Sequence, residues 1–128
     1  MIERVINIKP TPASRPRVTA RGTFYHKAYT EFKRDFPKLL GRRELLSGAL
    51  EMQIQFIMPM AQSWTKKKTL EMDGKFHTQV PDADNLAKAV IDSCNGYFYK
   101  DDSQIAVLVI TKIWGKFGQI SFKIKEIA

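Results

Sequence analysis

Residues 118–127 alternate apolar and polar side chains, with Ile120, Phe122 and Ile124 on one side and Ser121, Lys123 and Lys125 on the other. A strand of this kind offers one face to a core and one to solvent. The chain must therefore build a sheet with a covering layer on one side. Leu50–Met58 repeats the alternation as far as Phe56, and residues 2–8 read as a shorter strand. Gln104–Trp114 differs, because Ile105–Ile110 is aliphatic on both faces. Two helical patterns supply the cover. Ala28, Phe32, Phe36 and Leu39 form a stripe that starts near His26, with Pro37 as a kink and Gly41 as a stop. The second helix spans about Ala83 to Asn95 and ends at Gly96, with Leu86, Val90, Ser93 and Tyr97 facing the core. A short helix is expected after Ser63-Trp64-Thr65, and Asp73-Gly74 marks a turn. Pro10, Pro12 and Pro16 make residues 9–17 an extended loop, which Arg21–Tyr25 continues. The order implies an α/β (α+β) fold: a small mixed β-sheet with two main helices on one face, closed by a hairpin of the last two strands. At 128 residues the chain is expected to be a single domain, 1–128.

Charge is distributed unevenly. The formal net charge is +8, and the whole excess lies in residues 1–43, which hold eleven Lys or Arg against three acids. The rest of the chain is balanced, yet five aspartates fall between Asp82 and Asp102. The single cysteine, Cys94, makes no internal disulfide and excludes a Cys-rich zinc site; it reads as core filler. The longest aliphatic run is far too short to span a bilayer, and Met1–Arg4 lacks the features of a signal peptide. A soluble, cytoplasmic protein with no membrane association is expected.

The segment Pro81-Asp82-Ala83-Asp84-Asn85-Leu86-Ala87-Lys88-Ala89-Val90-Ile91-Asp92 is the richest in chemistry. Asp84 suits a helix N-cap. Asp84, Lys88 and Asp92 share one helix face, opposite the core. A capped amphipathic helix with ordinary Asp–Lys pairs would explain this much. Asp82 and Asp84 together exceed what a cap needs, however, and Asp101-Asp102 precedes a strand that can return to the same place. Carboxylates that converge call for a cation, and oxygen ligands without His or Cys suit Mg²⁺ or Mn²⁺. An EF-hand fails, because its glycine and bidentate glutamate positions hold Ala87 and Ser93. His26 and His77 stand alone and read as surface or loop residues, and there is no Gly-rich phosphate loop.

Carboxylate-bound Mg²⁺ beside a basic arm is the arrangement that phosphodiester hydrolysis requires. Lys88 either neutralises charge developing on the phosphoryl group or pairs with Asp84 or Asp92. The basic residues available to a polyanion are Arg15, Arg17, Arg21, Lys27, Lys66, Lys67 and Lys68.

Asp82-x-Asp84-Asn85-Leu86-x-Lys88-x-x-x-Asp92, followed by Asp101-Asp102-x-x-Ile105, resembles the signature of the RusA family of Holliday junction resolvases. Lys9-Pro-x-Pro-x-x-Arg15-Pro-Arg17, Ser63-Trp64-x-Lys66-Lys67-Lys68 and His77-Thr78 are similar to other parts of that family, so the resemblance spans residues from about 7 to 112. It implies a RusA-like homodimer, an endodeoxyribonuclease that cuts four-way DNA junctions with Mg²⁺ in recombination and repair. It implies that Asp82, Asp84 and Asp102 bind the metal, that Lys88 is the catalytic lysine, and that Asn85, Asp92 and Asp101 are supporting motif positions. A two-fold dimer suits a junction, which has two strands to be cut at related positions. Its interface is expected in the last two strands, where Ile105–Ile110 is apolar on both faces. Two alternatives stand beside this reading: a non-catalytic basic DNA-binding module, and a nuclease acting on other branched DNA.

Overall fold

The computed structural model describes residues 1–127; the expected domain, 1–128, runs one residue further. Four strands form one mixed sheet in the order β1 (Ile2–Ile6), β6 (Gln119–Glu126), β4 (Leu50–Pro59) and β5 (Ile105–Gly115). Helices α1 (Lys27–Asp35) and α3 (Ala83–Cys94) pack on the sheet's inner face, and a third helix, α2 (Lys66–Met72), is capped by the Thr65 hydroxyl. This is the mixed α/β fold that the sequence implies.

The last two strands are not a hairpin. β4 lies between them, parallel to β5 and antiparallel to β6. Adjacency in sequence gives way to the demands of β4, whose inward residues Leu50, Met52, Ile54, Phe56 and Met58 are all buried. A strand so buried needs hydrogen-bonding neighbours on both edges. The link between β5 and β6 therefore crosses the end of β4. It passes so close to the N-terminal segment that a Cβ on Gly118 would lie 2.8 Å from Lys9 Cα.

Two further expectations change in detail. In α1 the buried positions are Tyr29 and Phe32, followed by Phe36 and Leu40 in and after a 3₁₀ turn, Phe36–Leu39, that begins beside Pro37. Ala28 and Leu39, placed in the stripe by spacing alone, are exposed. Proline shifts the chain from α to 3₁₀ geometry, and this rotates Leu40 inward in place of Leu39. The basic loop is also more ordered than its prolines suggest. Beyond Pro16 it forms a two-stranded ribbon, β2 (Arg17–Thr19) with β3 (Gly22–Phe24), reversing at Ala20-Arg21 with Gly22 at φ +127°.

The core is aromatic where helix meets sheet. Phe32 stacks on Phe36 at 4.8 Å, and Phe36 and Phe98 both reach the Phe122 ring of β6. On β5 the inward row reads Leu108, Ile110, Lys112, Trp114, opposite Met52, Ile54, Phe56 and Met58 of β4. Lys112 is the one cation in that row. Its ammonium donates to the carbonyls of Gln79, at 2.8 Å, and Pro81, at 2.7 Å. It thereby ties the loop that enters α3 to the sheet, and it sets where the helix N-terminus stands.

Replacing Lys112 by Met keeps the packed stem and removes both charge-assisted bonds. We expect Lys112→Met to lower stability by about 1–3 kcal/mol, read as a lower urea midpoint at unchanged m-value. An unchanged midpoint would show that the tie contributes nothing.

Candidate active site

The acidic segment becomes the first turn and exposed face of α3. Asp82 is its N-cap residue, Asp84 lies in its first turn, and Asp82 makes no side-chain cap bond. The cap expected at Asp84 is thus two residues too late. The cis Val80–Pro81 peptide leads straight into the helix at Ala83. Leu86, Ala87, Ala89, Val90, Ser93 and Cys94 are buried, and burial pushes the Cys94 thiol up to about 12. The opposite face carries Asp84, Lys88 and Asp92, as their spacing of four requires.

These residues line a cleft of about 200 Å³ between α3 and β5, together with Ala87, Ile91, Asp102, Leu108 and Ile110. Asp102 reaches it from a 3₁₀ turn, Asp102–Gln104, that leads into β5. A capping box builds that turn. The Asp101 carboxylate accepts from Ser103 N, and Gln104 Oε1 accepts from the Lys100 and Asp101 amides. The Ser103 hydrogen bonds hold the Asp101 carboxyl below its ordinary range. Asp101 thus shapes the turn that presents Asp102.

Asp92 organises the base of the cleft. Its Oδ2 accepts from Lys88 Nζ at 3.0 Å and from the Tyr29 hydroxyl at 3.4 Å. Of the two pairings open to Lys88, the structure forms the one with Asp92. That hydrogen bond, followed by the charge of Asp92, raises the lysine's pKa, so it is cationic at neutral pH. Burial raises the Tyr29 phenol, with Asp92 adding to it. Nothing in the sequence marked Tyr29, which lies 63 residues from Asp92. Lys112 could have been found, since it interrupts the apolar inward row of β5.

The cleft gathers Asp84, Lys88, Asp92 and Asp102, but Asp82 is not in its lining. Among the described residues, no three His, Cys, Asp or Glu side chains stand close enough to enclose one ion. Asp82, Asp84 and Asp102, expected to converge, are thus not gathered into such a group. Positions two apart at a helix start point to different sides. The donor set still fits Mg²⁺, which commonly binds one or two carboxylates and completes its octahedron with water and substrate phosphate. Asp84 and Asp102 line one cleft from separate elements.

The basic arm is fastened beside this site. Ala13 N donates to the Asn85 carbonyl at 3.0 Å, one residue after Asp84, and His26 N donates to the Ser14 hydroxyl. The ribbon with Arg17 and Arg21 leaves from that anchor, with Arg15 just before it, and all three arginines are exposed. Lys27 starts α1, and Lys66, Lys67 and Lys68 form the first turn of α2; all four are exposed. His77 departs from expectation. It lies in a loop but is only 7 % exposed, 4.2 Å from the Trp114 ring. Burial, then the Lys112 charge, lowers its pKa. Among the described residues, no helix is long and apolar enough to cross a membrane.

The chain is 28 % identical over 131 aligned residues to YqaN of Bacillus subtilis (strain 168), a protein described as uncharacterized; the match covers 94 % of this chain and 92 % of that one. The family model described as endodeoxyribonuclease RusA matches residues 7–125, a span that includes the basic arm, the α3 aspartates, Lys88 and Asp102. By that match over nearly its whole length, the chain belongs to the RusA family of endodeoxyribonucleases.

Proposed function

We propose that this protein is a Mg²⁺-dependent endonuclease that resolves four-way DNA junctions in recombination and repair, acting as a homodimer. The observation that carries the reading is the single cleft in which Asp84 and Asp102 meet a lysine kept cationic by Asp92. Asp84 and Asp102 would hold the metal, Mg²⁺ or Mn²⁺, with Asp82 next to it at the helix start. When bound, such an ion polarises a phosphoryl oxygen and lowers the pKa of a coordinated water. Lys88 stabilises negative charge on the phosphate as it accumulates. Asp92 and Tyr29 orient that lysine, and Asp101 and Asn85 hold the turn and the arm on either side. Arg15, Arg17, Arg21, Lys27 and Lys66–Lys68 bind phosphates of the DNA arms.

The dimer reading has its support at the edge of the sheet. Gly74–His77 pairs with β5 only at Lys112–Trp114, through backbone bonds of 2.9–3.0 Å. Toward Ile105 that edge has no strand partner among the described residues. Val107 and Leu108 are each 40 % exposed and Val109 47 %. A long apolar edge of this kind pairs readily with another strand. Antiparallel pairing of two β5 edges would continue the sheet and set the two clefts, each lined by Leu108 and Ile110, on either side of the dyad.

Asp84→Asn should abolish junction cutting in Mg²⁺ and leave the fold intact, because an exposed first-turn carboxylate contributes only about 0.3–1 kcal/mol to a helix. Asp102→Asn should behave alike. A variant that retains more than a tenth of the normal rate, a barrier change under about 1.4 kcal/mol, would remove that residue from the metal site.

Neutralising Arg15, Arg17 and Arg21 together should weaken junction binding and reduce the slope of log K against log salt by roughly 2.7, about 0.9 per phosphate contact. An unchanged slope would leave the arm without a role on DNA.

Sedimentation at micromolar concentration should give about twice the 14.7 kDa chain mass. A species of one chain mass with full resolving activity would defeat the dimer and the paired incision together.

A further inference from the structure

A second pocket, of about 340 Å³, lies where α2 and the Gln79–Val80 loop meet the ends of β4 and β5. Its walls include Trp64, Trp114 and His77, with Lys9 and Lys68 also in the lining. The Trp64 and Trp114 rings are 4.8 Å apart and tilted by 56°, and Lys68 Nζ stands 4.3 Å from the Trp64 ring centre. His77 Nδ1 is buried and has no hydrogen-bond partner among the described residues.

We propose that this pocket receives one unpaired nucleobase of the DNA substrate, stacked at Trp64, with its flanking phosphates on Lys9 and Lys68. Indole surface beside ammonium groups is the chemistry by which proteins hold single-stranded nucleic acid. A base within a duplex is covered on both faces by its neighbours and cannot enter a concave site. The occupant is therefore a base freed at a branch point. The pocket is also mechanically joined to the cleft. Its Gln79–Val80 wall runs directly into Pro81 and Asp82, and Lys112 holds the Gln79 and Pro81 carbonyls in place. Seating a base here fixes which phosphate reaches Asp84 and Asp102. The inference rests on the nuclease reading and names the substrate feature that selects the point of incision.

Trp64 and Trp114 are the chain's only tryptophans, so intrinsic emission reports on this pocket directly. The full chain is titrated in EDTA with a short oligothymidylate and with a blunt duplex of the same length. The single strand should quench the emission saturably and the duplex should not. Trp64→Leu should weaken oligothymidylate binding at least about tenfold. Ala61→Leu, which narrows the pocket from an exposed position, should do the same, and it serves should Trp64→Leu fail to fold. Equal quenching by the duplex, or unchanged affinity in the folded variants, overturns the proposal. Junction cutting in Mg²⁺ is scored separately. Cutting without strand-selective quenching overturns the pocket alone, whereas strand-selective quenching without cutting upholds the pocket and overturns the nuclease reading.

Discussion

The burial of β4 is the constraint from which the rest of this structure follows. Five inward side chains, Leu50 through Met58, are removed from water on that one strand. Its backbone must then be paired on both edges, with β6 on one side and β5 on the other. That requirement separates the last two strands, sends their connection over the end of β4, and leaves β5 at the sheet's border. The border position decides the chemistry. A cleft forms between α3 and β5 because no further strand closes the helix-facing side at Leu108 and Ile110.

The carboxylates of the cleft differ in how they are held. Asp92 is committed to Lys88 and Tyr29, and Asp101 to the turn at its own position. Among the described residues, Asp84 and Asp102 have no such side-chain partners, and they come from elements that only the tertiary fold brings together. The partly screened Lys88–Asp92 pair adds little to stability, but it fixes the cationic state and direction of the lysine. The basic arm, anchored at Asn85, brings its positive excess to the edge of this acidic site.

Lys112 links the two regions that surround α3. An ammonium on the core side of a strand is unfavourable unless its donors are used. Here two carbonyls of the loop before the helix accept them. The same loop forms a wall of the pocket lined by Trp64, Trp114 and His77. The pocket and the cleft thus share one short, tethered segment, which couples what enters one to what is positioned in the other.

Much of this was legible in the sequence, for identifiable reasons. Period-two alternation gave β4 and β6 their faces, spacing by four gave α3 its charged stripe, and Gly96 marked the helix end, because each depends only on local backbone geometry. The spacing of the aspartates and the isolated basic arm were enough to indicate the family, since charge placement needs no fold to be read. The neighbours of β4, the turn of Leu40 inward past Pro37, and the separation of Asp82 from the cleft were not legible. Each depends on how elements pack, and a helix start or a strand order has no signature in spacing. Tyr29 and His77 illustrate the same limit. Their partners, Asp92 and Trp114, lie 63 and 37 residues away in sequence; α1 packing against α3 brings the first pair together, and the pairing of Gly74–His77 with the edge of β5 the second.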